Sequence, residues 1–231
     1  MARLTPASPA PARARAVVRR LRAEYPGATT SLAYGNAWEL LVAVILSAQC
    51  TDARVNEVTP GLFRRWPDPA SLLAASVEEV EEVVRPTGFF RNKTRSIRGA
   101  AAYLLEHHDG IVPRRTEQLV KVPGVGRKTA AVVLGEAYGR AEGIAVDTHA
   151  GRISRRLGLI DTVDAVKAER ELMAVVPRRS WIEWTHLCIY HGRKICTSRA
   201  PKCPACVLLD ICPEGQERRR ASGAAPARTR R

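Results

Sequence analysis

Four cysteines crowd one short stretch of the chain: Cys196, Cys203, Cys206 and Cys212, in the spacing C-x6-C-x2-C-x5-C. Four thiols this close, in a chain that shows no secretory apolar leader, point to a loop closed around a metal centre rather than to disulfides. Zinc and a 4Fe–4S cluster each accept four thiolates. Structural zinc usually uses two short cysteine pairs, and only one C-x2-C occurs here. The spacing therefore favours the cluster, then zinc, then a disulfide framework. Cys50 and Cys188 fall outside the spacing, in apolar stretches, and read as small buried hydrophobes.

Upstream of that loop the apolar residues recur at helical spacing, and no segment alternates with a period of two between turn signals. The pattern predicts helices over 14–24, 37–46, 52–66, 71–84, 91–108, 116–121, 127–138, 150–157, 164–175 and 180–192, an all-α chain. Ser71 reads as the N-cap of the fourth helix, and Pro60 should kink or divide the third. Residues 1–12 read as a Pro/Ala tail and 214–231 as a disordered basic tail. With 231 residues, 45% of them hydrophobic, the chain can bury one large core or two smaller ones.

The formal net charge is +14, which makes a polyanion, nucleic acid first, the expected partner. The bland alternative is a solvated basic surface. No apolar run reaches membrane-spanning length, so no membrane is expected as a partner. Arg-rich residues 1–22 resemble a transit peptide superficially, but their Ala-Pro content reads as a frayed leader. Of the 37 basic residues only six are lysine: Lys93, Lys121, Lys128, Lys167, Lys194 and Lys202. In a chain that otherwise chooses Arg, each raises the question of whether an amine is needed.

Residues 119–130 read as helix, Pro-Gly-x-Gly turn, helix. Glycines let the backbone take positive φ and approach a ligand closely, and the second helix aims its first N–H groups at the turn. This is a helix-hairpin-helix, a sequence-independent grip on phosphates. Lys128 lies in the first turn of the second helix. A neutral amine can form a Schiff base, whereas a guanidinium cannot. An isolated lysine in a basic protein is more often a phosphate contact. Asp147, after three apolar residues, reads first as a helix N-cap, a role that also holds its carboxylate rigidly.

Three motifs then occur in one order: Val122-Pro123-Gly124-Val125-Gly126-Arg127-Lys128-Thr129-Ala130, Val146-Asp147-Thr148-His149, and the four-cysteine loop. With Leu46-Ser47-Ala48-Gln49 and Thr51-Asp52 they resemble the endonuclease III family of iron–sulfur DNA glycosylases, over residues 30–213. The resemblance implies two helical domains flanking a DNA-binding cleft. Residues 30–140 would form a six-helix domain with the hairpin, and 13–29 would pack with a cluster domain over 141–213. Lys128 and Asp147 would face each other across the cleft. It implies a bifunctional glycosylase and AP lyase that removes oxidised pyrimidines. Lys128 would attack C1′ of a flipped nucleotide with Asp147 as partner, and β-elimination would cut 3′ to the abasic site. Cys196, Cys203, Cys206 and Cys212 would hold a 4Fe–4S cluster with a structural or redox-sensing role.

The same resemblance assigns DNA contacts to Gln49, Phe89, Val122, Gly124, Gly126, Arg127, Thr148, His149, Arg199 and Lys202. Gln49 would fill the gap left by the flipped base and Phe89 would wedge into the stack. Phe89-Phe90 could equally be core, and Arg199 and Lys202 ordinary surface charge. Cys50 departs from the family pattern and bears on lesion choice. The expected partner is double-stranded DNA carrying damaged bases or abasic sites. The expected setting is a monomer in a bacterial-type cytoplasm, at the nucleoid. Rival readings are an adenine glycosylase, which usually lacks the lysine, a pyrimidine-dimer glycosylase, and a non-catalytic DNA-binding iron–sulfur protein.

Overall fold

A computed structural model describes residues 4–221. Among the described residues every regular element is helical, and the chain divides into two compact units. One is Thr30–Glu142; the other joins the described parts of Met1–Thr29 and Gly143–Arg231.

In the unit of residues 30–142, α2 (Ala37–Leu46) is the central helix, capped by Asn36, whose side chain accepts from the Glu39 N–H at 3.0 Å. Leu40, Leu41, Val42, Ala43 and Leu46 are fully buried, at about 1.5–3 kcal/mol for each large side chain. It packs against α8 (Arg127–Tyr138), which contributes Ala130, Val133 and Leu134. Helix α3 (Asp52–Arg65) is capped by Thr51 and runs through Pro60 undivided. Its buried face, Val55, Val58, Thr59 and Leu62, anchors the turns on either side of the proline.

The helix expected over 71–84 is two helices, α4 (Pro69–Ala74) and α5 (Val77–Val84), so this unit holds seven helices rather than six. Ser71 is not an N-cap. Asp68 caps α4, and Ser71 completes its capping box. The break follows from a second box, Ser76 with Glu79, which starts α5 after extended Ala75. Arg98, on α6 (Phe90–His108), donates to the carbonyls of Leu72, Leu73 and Ala75 that the break leaves open. Helix α7 (Thr116–Leu119) leads into the turn before α8.

The other unit holds α1 (Ala10–Glu24), α9 (Thr148–Arg156), α10 (Ala165–Val175), α11 (Trp181–Lys194) and α12 (Pro213–Ala221). Its core includes Val17, Leu21, Ile153, Leu172, Trp184, Leu187 and Cys188. Two tail expectations are corrected here. Helix α1 begins at Ala10, because buried Arg13 ties its start to Ser8, Leu157 and Gly158 carbonyls. Residues 213–221 are helical, because Glu214 pairs with Arg156 at 3.1 Å and buried Gly215 packs on Cys212. Residues 1–3 and 222–231, the rest of both predicted tails, lie outside the described residues. No described helix is long and apolar enough to cross a membrane.

Candidate functional site

The hairpin is built on tight backbone packing. Gly124 has φ +80°, and a Cβ there would stand 2.8 Å from the Ser96 Cβ, so the position admits only glycine without rearrangement. Pro123 lies against α6 at Gly99, where a Cβ would come within 3.0 Å of the proline ring. Val122 and Val125 turn their side chains into the core, and the Val125 N–H donates to the Val122 carbonyl at 3.0 Å. Val122 has no exposed side chain to offer a ligand, and its own N–H donates to the Leu119 carbonyl at 3.0 Å. Gly126 needs no positive φ: it is extended, at φ −92°, and the space its Cβ would fill is empty. It caps α8 without any side-chain cap, and Lys128 stands exposed in the first turn beside exposed Arg127. The result is an open helix N-terminus flanked by cations, suited to an anion.

Two exposed loops of the same unit carry backbone strain. Gln49 (φ 52°) and Phe89 (φ 48°) are left-handed, a conformation that costs a non-glycine residue about 1–2 kcal/mol. The only other described case, Asp109, ends a helix. Strain of this kind gathers at functional positions. Phe89 is 62% exposed, whereas Phe90 packs between the Arg85 and Arg91 guanidinium groups, 4.8 and 5.3 Å from its ring centre. The two phenylalanines thus divide into one surface aromatic and one packed one. Cys50, next to Gln49, is half-buried.

In the other unit Asp147 is the N-cap of α9, and its Oδ1 accepts from the Ala150 N–H at 2.7 Å. Thr148 is exposed and His149 half-buried. The His149 ring lies over α11 at Gly192, where a Cβ would meet Nδ1 at 2.3 Å. Arg152 stands 3.1 Å from that nitrogen and also donates to the Cys196 carbonyl. Burial pushes the His149 pKa down, Asp147 pulls it up, and Arg152 and Arg193 push it down further. Buried Cys188 lies close enough to feel the Asp147 charge, and burial drives its thiol well above the ordinary range. Gly192 and Arg152 carry no motif in the sequence, because their part in the site comes from packing against His149.

The four loop cysteines are all free and half-buried. They line one small cavity of about 30 Å³ together with Arg156, Glu214, Gly215 and Arg218. Three sulfurs receive N–H groups: Cys196 from Arg156 at 3.3 Å, Cys206 from Leu208 at 3.4 Å and Cys212 from Gly215 at 3.3 Å. Burial pushes Cys206 up to about 12 and Cys212 up to about 11, and raises Cys203. Among the described residues no three His, Cys, Asp or Glu side chains close on a single metal ion. Arg156 also donates to the Thr197 and Ser198 carbonyls, at 2.7 and 2.8 Å, and so shapes the loop that carries exposed Arg199 and Lys202.

A hairpin with an open, cation-flanked helix N-terminus, strained loops at a surface and a four-thiol loop define a class. Residues 42–178 match the family model of the HhH-GPD superfamily base excision DNA repair proteins. Endonuclease III of Synechocystis sp. is 49% identical over 204 residues, covering 88% of this chain and 93% of that protein. A non-covalent endonuclease III–DNA complex superposes with a TM-score of 0.84 at 42% identity, over 91% of this chain and 98% of that one. A trapped endonuclease III–DNA covalent intermediate, an estranged-adenine complex, gives the same score and identity, over 90% and 98%. The chain belongs to the endonuclease III family. Its activity is that of a base excision repair DNA glycosylase and AP lyase.

Proposed function

We propose that Lys128 is the nucleophile of this activity and Asp147 its acid–base partner, acting on oxidised pyrimidines in double-stranded DNA. The observation that carries this reading is the exposed amine of Lys128 in the first turn of an uncapped, glycine-led hairpin helix. Amides at the mouth of α8 and the Gly124–Gly126 backbone hold phosphate oxygens, which sets the amine beside the sugar of the bound nucleotide. The nucleotide is extruded, because C1′ is out of reach while the base is stacked. The Lys128 Nζ attacks C1′ as the C1′–base bond breaks and the base leaves with a proton; the nitrogen lone pair then opens the C1′–O4′ bond, O4′ takes up a proton, and an iminium forms between Nζ and C1′. Loss of a C2′ proton then drives the electron pair toward C3′, and the 3′ phosphate departs. Asp147 uses Oδ1 for its cap, which leaves Oδ2 to receive or return a proton or to oppose positive charge on the sugar.

Gln49 and Phe89 fill and wedge the space left by the nucleotide, and Arg127, Thr148, His149, Arg199 and Lys202 complete the backbone contacts. The molecule acts as a monomer at the nucleoid.

Cys196, Cys203, Cys206 and Cys212 fit a 4Fe–4S cluster. Their sulfurs share one cavity, N–H donors reach three of them, and their burial disfavours thiolates that lack a compensating cation. When bound, the cluster fastens the loop and supplies a site for one-electron exchange.

Borohydride trapping on a duplex with an oxidised pyrimidine tests the nucleophile. Wild-type protein should give a covalent adduct and Lys128→Ala none. Equal trapping by the variant would remove Lys128 from this role. A panel of defined lesions, incised in parallel, tests the substrate class.

A further inference from the structure

Among the described residues Lys93 is the one buried lysine: its relative exposure is 4%. It sits in the first turn of α6, directly after the loop that presents Phe89. Its Nζ donates to the Thr87 carbonyl at 2.6 Å, and its backbone N–H donates to the Phe89 carbonyl at 3.1 Å. Thr87 is itself buried, and its hydroxyl donates to the Val84 carbonyl at 2.8 Å. One residue thus grips the loop on both sides of Gly88, whose φ is +70°. Between those two grips the chain turns left-handed twice, at Gly88 and at Phe89, and thrusts the aromatic ring into solvent.

A buried ammonium with no carboxylate beside it is expensive, and a residue needed only for packing there would be apolar. Among the described residues no acid pairs with Lys93, whose amine has the Thr87 carbonyl as its hydrogen-bond partner. The amine therefore lies beneath the strained loop that carries Phe89, held by the Thr87 carbonyl. An arginine, which this chain prefers elsewhere, would bring a wide planar head where a compact one meets a single carbonyl.

We propose that Lys93 is a positioning residue for base extrusion: it fixes the Thr87–Gly88–Phe89 backbone so that the Phe89 ring is already in its inserting conformation before DNA arrives. A loop held this way does not have to be ordered during insertion, so binding is spent on unstacking the duplex rather than on folding the wedge. The inference rests on the reading of Phe89 as the wedge.

The test compares two substrates that differ only in the need for a wedge. In one an abasic site lies in a fully paired duplex; in the other it lies in a single-nucleotide bulge, already outside the stack. Single-turnover strand cleavage is measured for wild type, Phe89→Ala, Lys93→Met and the double variant. Lys93→Met keeps an apolar stem of similar length and removes the donor. The ratio of paired-duplex rate to bulge rate should fall by about tenfold or more, the loss expected for one buried charged hydrogen bond. Phe89→Ala should lower the same ratio, and the double variant should fall no further than Phe89→Ala alone.

If Phe89→Ala leaves the ratio unchanged, the wedge reading is wrong. If Phe89→Ala lowers it while Lys93→Met slows both substrates equally, or neither, the wedge stands and the positioning role is overturned. Should Lys93→Met fail to fold, Lys93→Gln carries the same comparison. Its amide is one bond shorter than the ammonium and stops short of the Thr87 carbonyl.

Discussion

Gly124→Ala should destabilise the protein severely although it adds a single methyl group. The alanine would have to hold φ +80°, which costs an L-residue about 1–2 kcal/mol. Its Cβ would also stand 2.8 Å from the Ser96 Cβ, on a helix already tight against Pro123. Relief of such overpacking usually costs a further 1–3 kcal/mol or so. Together about 2–5 kcal/mol is lost from the unit of residues 30–142. For a chain of this size that corresponds to a melting temperature lower by roughly 4–20 °C. Thermal unfolding followed by far-ultraviolet circular dichroism measures it, with Gly126→Ala beside it. At Gly126 the φ of −92° suits any residue and nothing lies within 4 Å of the new methyl, so stability should stay within about 0.5 kcal/mol of wild type. The same methyl sits in front of the helix N-terminus and should weaken binding to a lesion duplex. Gly124→Ala melting within a degree of wild type would refute the steric argument. Gly126→Ala binding DNA normally would refute the claim that phosphate approaches there.

Lys128→Arg keeps the charge but not the nucleophile, so duplex affinity should be largely retained while borohydride trapping disappears. Asp147→Asn keeps a good N-cap and should melt like wild type, yet lose about a hundredfold in single-turnover rate as an acid–base group is removed; Asp147→Ala should in addition cost about 1 kcal/mol of stability. Arg156→Met removes the donor to Cys196, Thr197 and Ser198 and the partner of Glu214, so purified protein should hold less iron and acid-labile sulfide per chain. Replacing Arg199 and Lys202 together by Ala should reduce the slope of log affinity against log salt by about two, since each phosphate contact contributes about 0.9 on B-DNA.

Where interactions are local, the sequence alone was sufficient. The helices over 37–46 and 127–138 begin and end where the capping residues Asn36 and Gly139 say they should, because a cap and its helix lie within one turn. The hairpin was legible for the same reason: proline, glycines and helix start are neighbours. The cysteine spacing showed that the four thiols would share a loop. The Ser76–Glu79 box is equally local, but Glu-rich apolar periodicity runs straight through it and masks the break.

Tertiary structure decided what depends on partners far along the chain. Helix α12 has almost no apolar residues and reads as a tail, and it is held by Arg156, 58 positions before Glu214. Arg13 makes the start of α1 ordered through carbonyls at Leu157 and Gly158. His149 lies against a glycine on another helix, which no spacing reveals. Composition marked Lys93 and Lys128 alike, as lysines in an arginine-rich chain, and only packing separated them. One amine is buried under the Phe89 loop and the other is exposed at the mouth of the hairpin, because a side chain's solvent is fixed by the elements packed around it and not by its neighbours in sequence.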